Sequence, residues 1–172
     1  MFLNYIKAFS VKRIIKNKLQ NERRNPDSSA IKTVGIIVDE SNVKIGKDLV
    51  AFLVEQGIKV QDVQVLAYRD RIKKNSVQIH PTISAKDLNW NATFSSAIAN
   101  DFIASDFDLL INYYDAETAG LLLLTHASKA KFKVGFTAID KRLNDLIINT
   151  SVENYTVFTQ EIIKYLKILN KI

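Results

Sequence analysis

Five short apolar runs, separated by longer stretches with helical spacing, limit what this sequence can fold into more than any other feature. The runs lie at residues 33–38, 63–68, 107–113, 132–136 and 145–148. They are rich in Val, Ile, Leu and aromatic residues and too short for core helices, as is typical of buried strands. Strands that alternate with helices are joined by right-handed crossovers into a parallel sheet, which helices cover on both faces. We therefore predict a three-layer, doubly wound α/β fold with a mainly parallel, five-stranded sheet.

The same pattern indicates the central strand and the order of the strands. Residues 107–113 read Phe-Asp-Leu-Leu-Ile-Asn-Tyr and are apolar toward both faces, which is typical of a strand in the middle of a parallel sheet. We predict the strand order 2-1-3-4-5, a Rossmann-like or flavodoxin-like arrangement. Residues 77–90, which contain His80 and Pro81, predict an irregular segment with one short edge strand.

The excess charge of the protein is confined to its first residues. Residues 1–33 contain eight Lys and Arg and two Asp and Glu, whereas residues 34–172 contain sixteen of each sign, so the N-terminal segment carries the net charge of +6. A turn-forming sequence at residues 25–29, Asn-Pro-Asp-Ser-Ser, separates this segment from the first strand. We therefore predict a basic helical extension with its linker at residues 1–32. Residues 33–172 form a single α/β domain, which we expect to fold without the extension.

Two apolar stripes on the extension predict two helices rather than one. On a helical projection the stripes lie on nearly opposite sides, and Ser10 stands at the change of face. The stripes consist of Phe2, Tyr5, Ile6 and Phe9, and of Val11, Ile14, Ile15 and Leu19. We predict that Ser10 caps a second helix at residues 11–21. Because so short a helix is marginal alone, its stripe must pack on the domain, on a second copy of the chain in a homo-oligomer, on a membrane or on a partner.

The basic side chains of the extension are candidates for binding an anionic partner. They are Lys12, Arg13, Lys16, Lys18, Arg23 and Arg24. Because segregated positive charge is typical of arms that contact phosphates, our first hypothesis is a non-enzymatic binding protein whose partner is RNA or a ribonucleoprotein. An acidic protein is a further candidate, and peripheral contact with a membrane is another. The alternative is a solvated helix whose charge only aids solubility.

Carboxylates that follow several predicted strands lead to a second hypothesis, an enzyme. Asp39, Asp115 and Asp140 come at or shortly after the ends of strands one, three and four. In open parallel sheets ligands bind beyond the carboxyl ends of the strands, and carboxylate oxygens suit a Mg²⁺ ion. Such a cluster would support metal-dependent phosphoryl or glycosyl transfer. The same residue types also cap helices, which would give them a purely structural role.

The composition argues against a bound cofactor and against a zinc-type metal site. The chain has no Cys, two His (His80 and His126) and five Gly, so it lacks both a zinc-ligand pattern and a glycine-rich phosphate loop.

Lys7 interrupts the apolar residues at the N-terminus, which is atypical of a secretory signal. We expect no cofactor, no metal and a cytoplasmic location.

The sequence also resembles two known families. Residues 106–136, a strand, a Leu-rich helix and a second strand, resemble the N-terminal half of heptosyltransferase-type glycosyltransferases, which implies the same α/β fold. The whole chain resembles a family of small α/β proteins of Bacteroidota with a domain of unknown function. The basic N-terminal helix and residues 107–114, 128–135, 144–147 and 165–169 carry this second resemblance. It implies the length, the fold and a cytoplasmic location, and it implies no activity and no site residues.

Overall fold

A six-stranded, all-parallel sheet forms the centre of the protein in the computed structural model, which describes residues 2–20, 29–41, 45–72 and 78–172. The strands are β1 (Val34–Asp39), β2 (Val63–Tyr68), β3 (Thr82–Ile83), β4 (Leu109–Tyr113), β5 (Phe132–Phe136) and β6 (Leu146–Ile148). Their order across the sheet is β3-β2-β1-β4-β5-β6. The predicted order of the five apolar runs is therefore confirmed. The additional strand, β3, pairs with only Ala67 and Tyr68 of β2. It is the short edge strand predicted within residues 77–90.

Helices cover both faces of this sheet, which confirms the three predicted layers. The described helices are α1 (Phe2–Leu19), α2 (Gly46–Glu55), α3 (Ala97–Ala104), α4 (Ala119–Ala127) and α5 (Tyr155–Ile168), with 3-10 turns at Val60–Asp62, Ala85–Asp87 and Lys141–Leu143. On one face, α1, α3 and α4 share a core that contains Ile15, Phe102 and Leu122. On the other face, α2 and α5 pack around Leu49 and Phe158.

The strand β4 occupies the middle of the sheet, as its composition predicts. It lies between β1 and β5, and all five of its residues are buried. Leu110 belongs to the core beneath α1 and α4, whereas Ile111 belongs to the core beneath α2 and α5. A strand that is buried on both faces needs apolar side chains at successive positions, which accounts for the uninterrupted apolar run.

The N-terminal segment is one continuous helix, so the predicted break at Ser10 is wrong. The stripe of Val11, Ile15 and Leu19 is buried against α4, with exposures of 0, 1 and 6%, whereas Ile14 is only partly buried. Tyr5, Ile6 and Phe9 of the earlier stripe are exposed, so the helix does not have to turn to bury them, and the cost of Ser within a helix is small. The stripe of α1 therefore packs on the domain itself.

The N-terminal half of α1 is also attached to the rest of the protein. The Lys7 ammonium donates to the backbone carbonyls of Ala85 and Leu88, at 3.1 and 2.8 Å.

Residue 21 and the predicted linker residues 25–28 lie outside the described residues. The division of the chain at residue 32 stays a prediction about folding units, and truncation is its test.

A single carboxylate holds the start of β1 to the start of β4. Asp108 accepts hydrogen bonds from the backbone amides of Lys32 and Thr33, from the Thr33 hydroxyl and from the Lys131 ammonium, at 2.8–3.1 Å. Burial opposes ionisation of this group, but the hydrogen bonds, above all that from Lys131, outweigh it and hold the pKa of Asp108 well below its usual range. The carboxylate form of Asp108 is therefore part of the folded state.

The Asp108→Asn variant should be less stable at neutral pH and less sensitive to acid. Because the folded state lowers the pKa of Asp108, its stabilising contribution is complete above about pH 4 and is lost as the pH falls below that value. We expect a loss of roughly 2 kcal/mol at pH 7, the scale of hydrogen bonds to a charged group, and a smaller further loss at low pH than in the wild type. Urea unfolding at neutral and acidic pH measures both effects. Asp106→Asn, at an exposed neighbouring position, is the control and should change neither.

Candidate functional site

Four basic residues in the C-terminal half of α1 lie outside its buried stripe: Lys12, Arg13, Lys16 and Lys18. Arg13, Lys16 and Lys18 are exposed and Lys12 is partly buried. Arg13 lies on the side of the helix opposite the buried stripe, whereas Lys12 and Lys18 lie along the edges of that stripe. The helix contains five basic residues and no Asp or Glu. Lys16 and Lys18 stand in its last turn, where positive charge interacts favourably with the helix dipole. Arg23 and Arg24 lie outside the described residues.

Tertiary contacts distinguish the predicted binding residues from one another. The Lys16 ammonium lies 3.4 Å from a carboxylate oxygen of Glu117, which is in the loop before α4. Within the described part of the chain, Lys12, Arg13 and Lys18 form no ion pair. Their charges are therefore available to a partner at little cost, because no ion pair with another described residue has to break first.

Two of the three strand-end carboxylates, Asp39 and Asp140, are engaged in their own turns. The Asp39 carboxylate accepts from the backbone amide of Ser41 at 2.9 Å. Asp140 caps the turn Lys141–Leu143, where the amide and the guanidinium of Arg142 donate to it, and this contact with Arg142 lowers the pKa of Asp140. Asp115, just beyond β4, is exposed. The described residues contain no group of three or more His, Asp or Glu side chains able to hold a metal. A catalytic role for these three residues stays a prediction.

A buried ion pair, which no sequence pattern predicted, lies at the ends of β1 and β2. The Arg69 guanidinium donates to the Glu40 carboxylate at 2.9 Å, and the two side chains are 8% and 1% exposed. The pairing of β1 with β2 sets Asp39 beside Tyr68, so the next residue of each strand meets its counterpart across the sheet. Gly46, at the start of α2, makes room for this cluster: a Cβ there would lie 3.3 Å from the Glu40 carboxylate and 2.8 Å from His80 Nε2.

A second polar cluster lies beneath α4 and is closed to solvent. Asn112 on β4 donates to the Asn144 side-chain carbonyl at 2.7 Å and accepts from the Thr125 hydroxyl at 2.8 Å. The Thr125 and Tyr114 hydroxyls are 2.6 Å apart, and burial raises the pKa of Tyr114 above its usual value. These contacts join α4 and the turn at Lys141–Leu143 to the sheet, and their burial points to a structural role.

The fold and the helix α1 define the structural class of this protein. It is a doubly wound, all-parallel α/β domain that carries a basic helix across one face. No helix among the described residues has both the length and the apolar character needed to cross a bilayer.

A model described as a family of unknown function (DUF6913) matches residues 7–169, and the chain belongs to this family. The match begins inside α1 and includes its buried stripe. No curated protein matches the chain. The resemblance to a family of unknown function is thereby confirmed. Its placement in Bacteroidota and the resemblance of residues 106–136 to heptosyltransferase-type enzymes stay predictions.

Proposed function

We propose that this protein is a non-enzymatic binding protein that presents the basic side of α1 to an anionic partner. RNA and ribonucleoproteins are partners of this charge, as the sequence suggests. The observation that carries the proposal is the set of exposed cations on α1 that form no ion pair with any described residue, Lys18 and Arg13 above all. Because α1 contains no Asp or Glu, no carboxylate within the helix reduces the positive electrostatic potential of these cations.

The packing of α1 supports a binding role because it fixes the positions of these charges. Val11 and Ile15 are buried in the core, and Lys7 is bonded to two backbone carbonyls on the neighbouring segment. A helix held in this way loses little backbone entropy when a partner binds, so more of the interaction energy appears as affinity. The enzyme hypothesis has no comparable support, since the described hydrogen bonds of the Asp39 and Asp140 carboxylates lie within their own turns.

Reversing two charges on α1 tests the proposal. We expect Lys12→Glu/Arg13→Glu to elute from immobilised heparin at clearly lower salt than the wild type. We also expect it to bind total RNA at least tenfold more weakly if RNA phosphates are contacted, because each lost contact removes released counterions. Filter binding at two salt concentrations measures the RNA affinity and its salt dependence.

The matched control makes the same change in net charge on the opposite layer. Lys47, on α2, and Lys59, after it, are both exposed. Lys47→Glu/Lys59→Glu should retain the wild-type behaviour on heparin. Equal weakening by the two double variants would show that only the net charge matters and would contradict a binding surface on α1.

A further inference from the structure

The N-terminal half of α1 exposes a group of large apolar side chains, which we call the apolar patch. It consists of Leu3, Tyr5, Ile6 and Phe9, with exposures of 68, 81, 40 and 66%. Single exposed apolar residues are common on protein surfaces. Four of them within seven residues of one helix are different, because the i, i+3 and i, i+4 spacings of Leu3, Ile6 and Phe9 and of Tyr5 and Phe9 make them neighbours.

The fold of the described residues does not use this patch. Burial of α1 depends on Val11, Ile15 and Leu19, on the other side of the helix. The contacts of Lys7 with Ala85 and Leu88 then hold the N-terminal half in place with the patch facing outward. The patch is therefore presented at a fixed position beside the rest of the domain.

Positive charge continues the patch along the helix. Arg13 lies seven residues after Ile6 and Lys16 seven residues after Phe9, and residues seven apart lie on nearly the same side of a helix. Among the described residues of other elements, Glu117 and Asp140 lie near Lys16. Asp140 is itself paired with Arg142, which is exposed in the turn Lys141–Leu143. Lys12 and Arg13 form no ion pair within the described residues.

We propose that α1 docks on an anionic lipid surface, with the apolar patch at the boundary of headgroups and acyl chains and with Lys12 and Arg13 on the headgroup phosphates. This inference rests on the proposed function and names the partner of the same helix. An exposed apolar face beside uncompensated basic residues is the composition of interfacial helices. The two halves of α1 then make two kinds of contact with one surface, and the basic half selects anionic lipids.

The other occupants of this face fit it less well. A second copy of the chain, docked through the same face, would bring two basic helices together and repel itself. A nucleic acid would satisfy Lys12 and Arg13 and could stack bases on Tyr5 and Phe9. It offers nothing, however, to the aliphatic side chains of Leu3 and Ile6, whereas a lipid surface receives all four side chains of the patch.

Flotation with vesicles tests the inference on the full-length protein. The probes are vesicles of phosphatidylcholine alone and vesicles that also contain phosphatidylglycerol. We expect the wild type to float with the second kind only, and less so at high salt. Leu3→Gln/Phe9→Gln should reduce this partitioning roughly tenfold or more, because two apolar side chains no longer enter the interface. Ile168→Gln, at an equally exposed position on α5 in the opposite layer, should leave it unchanged.

Heparin retention separates the inference from the proposed function. Leu3→Gln/Phe9→Gln keeps every basic residue, so its retention on heparin should equal that of the wild type, whereas Lys12→Glu/Arg13→Glu should lose both heparin retention and flotation. A wild type that binds heparin or RNA but floats with neither kind of vesicle would overturn the lipid inference and leave the proposed function standing. A wild type that binds none of these probes would overturn both.

Discussion

A chain that begins at Ser29, and so lacks α1, should lose the cooperative thermal transition of the full-length protein. The deletion removes Val11, Ile15 and Leu19 from the core and exposes the side of α4 that they cover. Burial of each such side chain contributes about 1.5–3 kcal/mol, so the combined loss is roughly 5–9 kcal/mol. A loss of that size is comparable with the whole stability of a typical domain. The expectation that residues 33–172 fold without the extension stays a prediction, and the melt of this truncated chain decides between the two outcomes.

Two point variants show whether packing of the stripe is the cause. Ile15→Ala should lower the free energy of unfolding by about 2–4 kcal/mol, because it leaves a cavity between α1 and α4. Ile6→Ala, on the exposed side of the same helix, should cost less than about 1 kcal/mol. Urea unfolding of both full-length variants measures the difference. An unchanged cooperative melt of the truncated chain would instead support the separable extension that the charge distribution predicts.

Replacing Arg69 with Met should destabilise the protein by about 3–5 kcal/mol, the usual cost of leaving one partner of a buried ion pair alone. The Glu40 side chain is 1% exposed, so water cannot replace the guanidinium. Arg69 also retains a buried Nε without a hydrogen-bond partner among the described residues, so the pair is not fully satisfied even in the wild type.

The double variant Glu40→Leu/Arg69→Met provides the control. Because removing both charges removes the desolvation cost of both, we expect it to recover most of the stability lost by Arg69→Met. Chemical denaturation of the wild type, both single variants and the double variant completes a double-mutant cycle. Additive losses in this cycle would contradict a coupled ion pair between Glu40 and Arg69.

The central sheet could be predicted from the sequence because burial on both faces leaves a direct trace in it. Strands such as β1 and β4 need apolar residues at successive positions, and the right-handed crossover rule then limits how strands can be ordered. The predicted order of the five runs is one of the orders that these two constraints allow, and it places β4 in the middle of the sheet. Even the edge strand β3 left a trace, since Pro81 cannot donate to a ladder and keeps the pairing to two residues.

The path of α1 could not be predicted from its own residues. Its two apolar stripes suggest a break, because a helix in isolation is expected to bury both. The structure buries Val11, Ile15 and Leu19 and leaves Leu3 and Phe9 in solvent, so a single straight helix suffices. Which stripe is buried depends on the surface of α4, about one hundred residues later in the chain.

For the candidate site too, some properties could be predicted from the sequence and others depend on tertiary contacts. Composition alone located the excess positive charge, because the sum of charges in a segment does not depend on the fold. Whether a given cation is free does depend on it: Lys16 meets Glu117, whereas Lys12 and Arg13 meet no carboxylate among the described residues. Likewise Glu40 and Arg69 pair because parallel strands in register set them side by side. The sequence by itself determined the layers of the fold, the position of the central strand and the sign of the surface charge. Residues distant in the chain decided which charges are neutralised and which apolar side chains remain exposed, because both depend on distances that only tertiary packing sets.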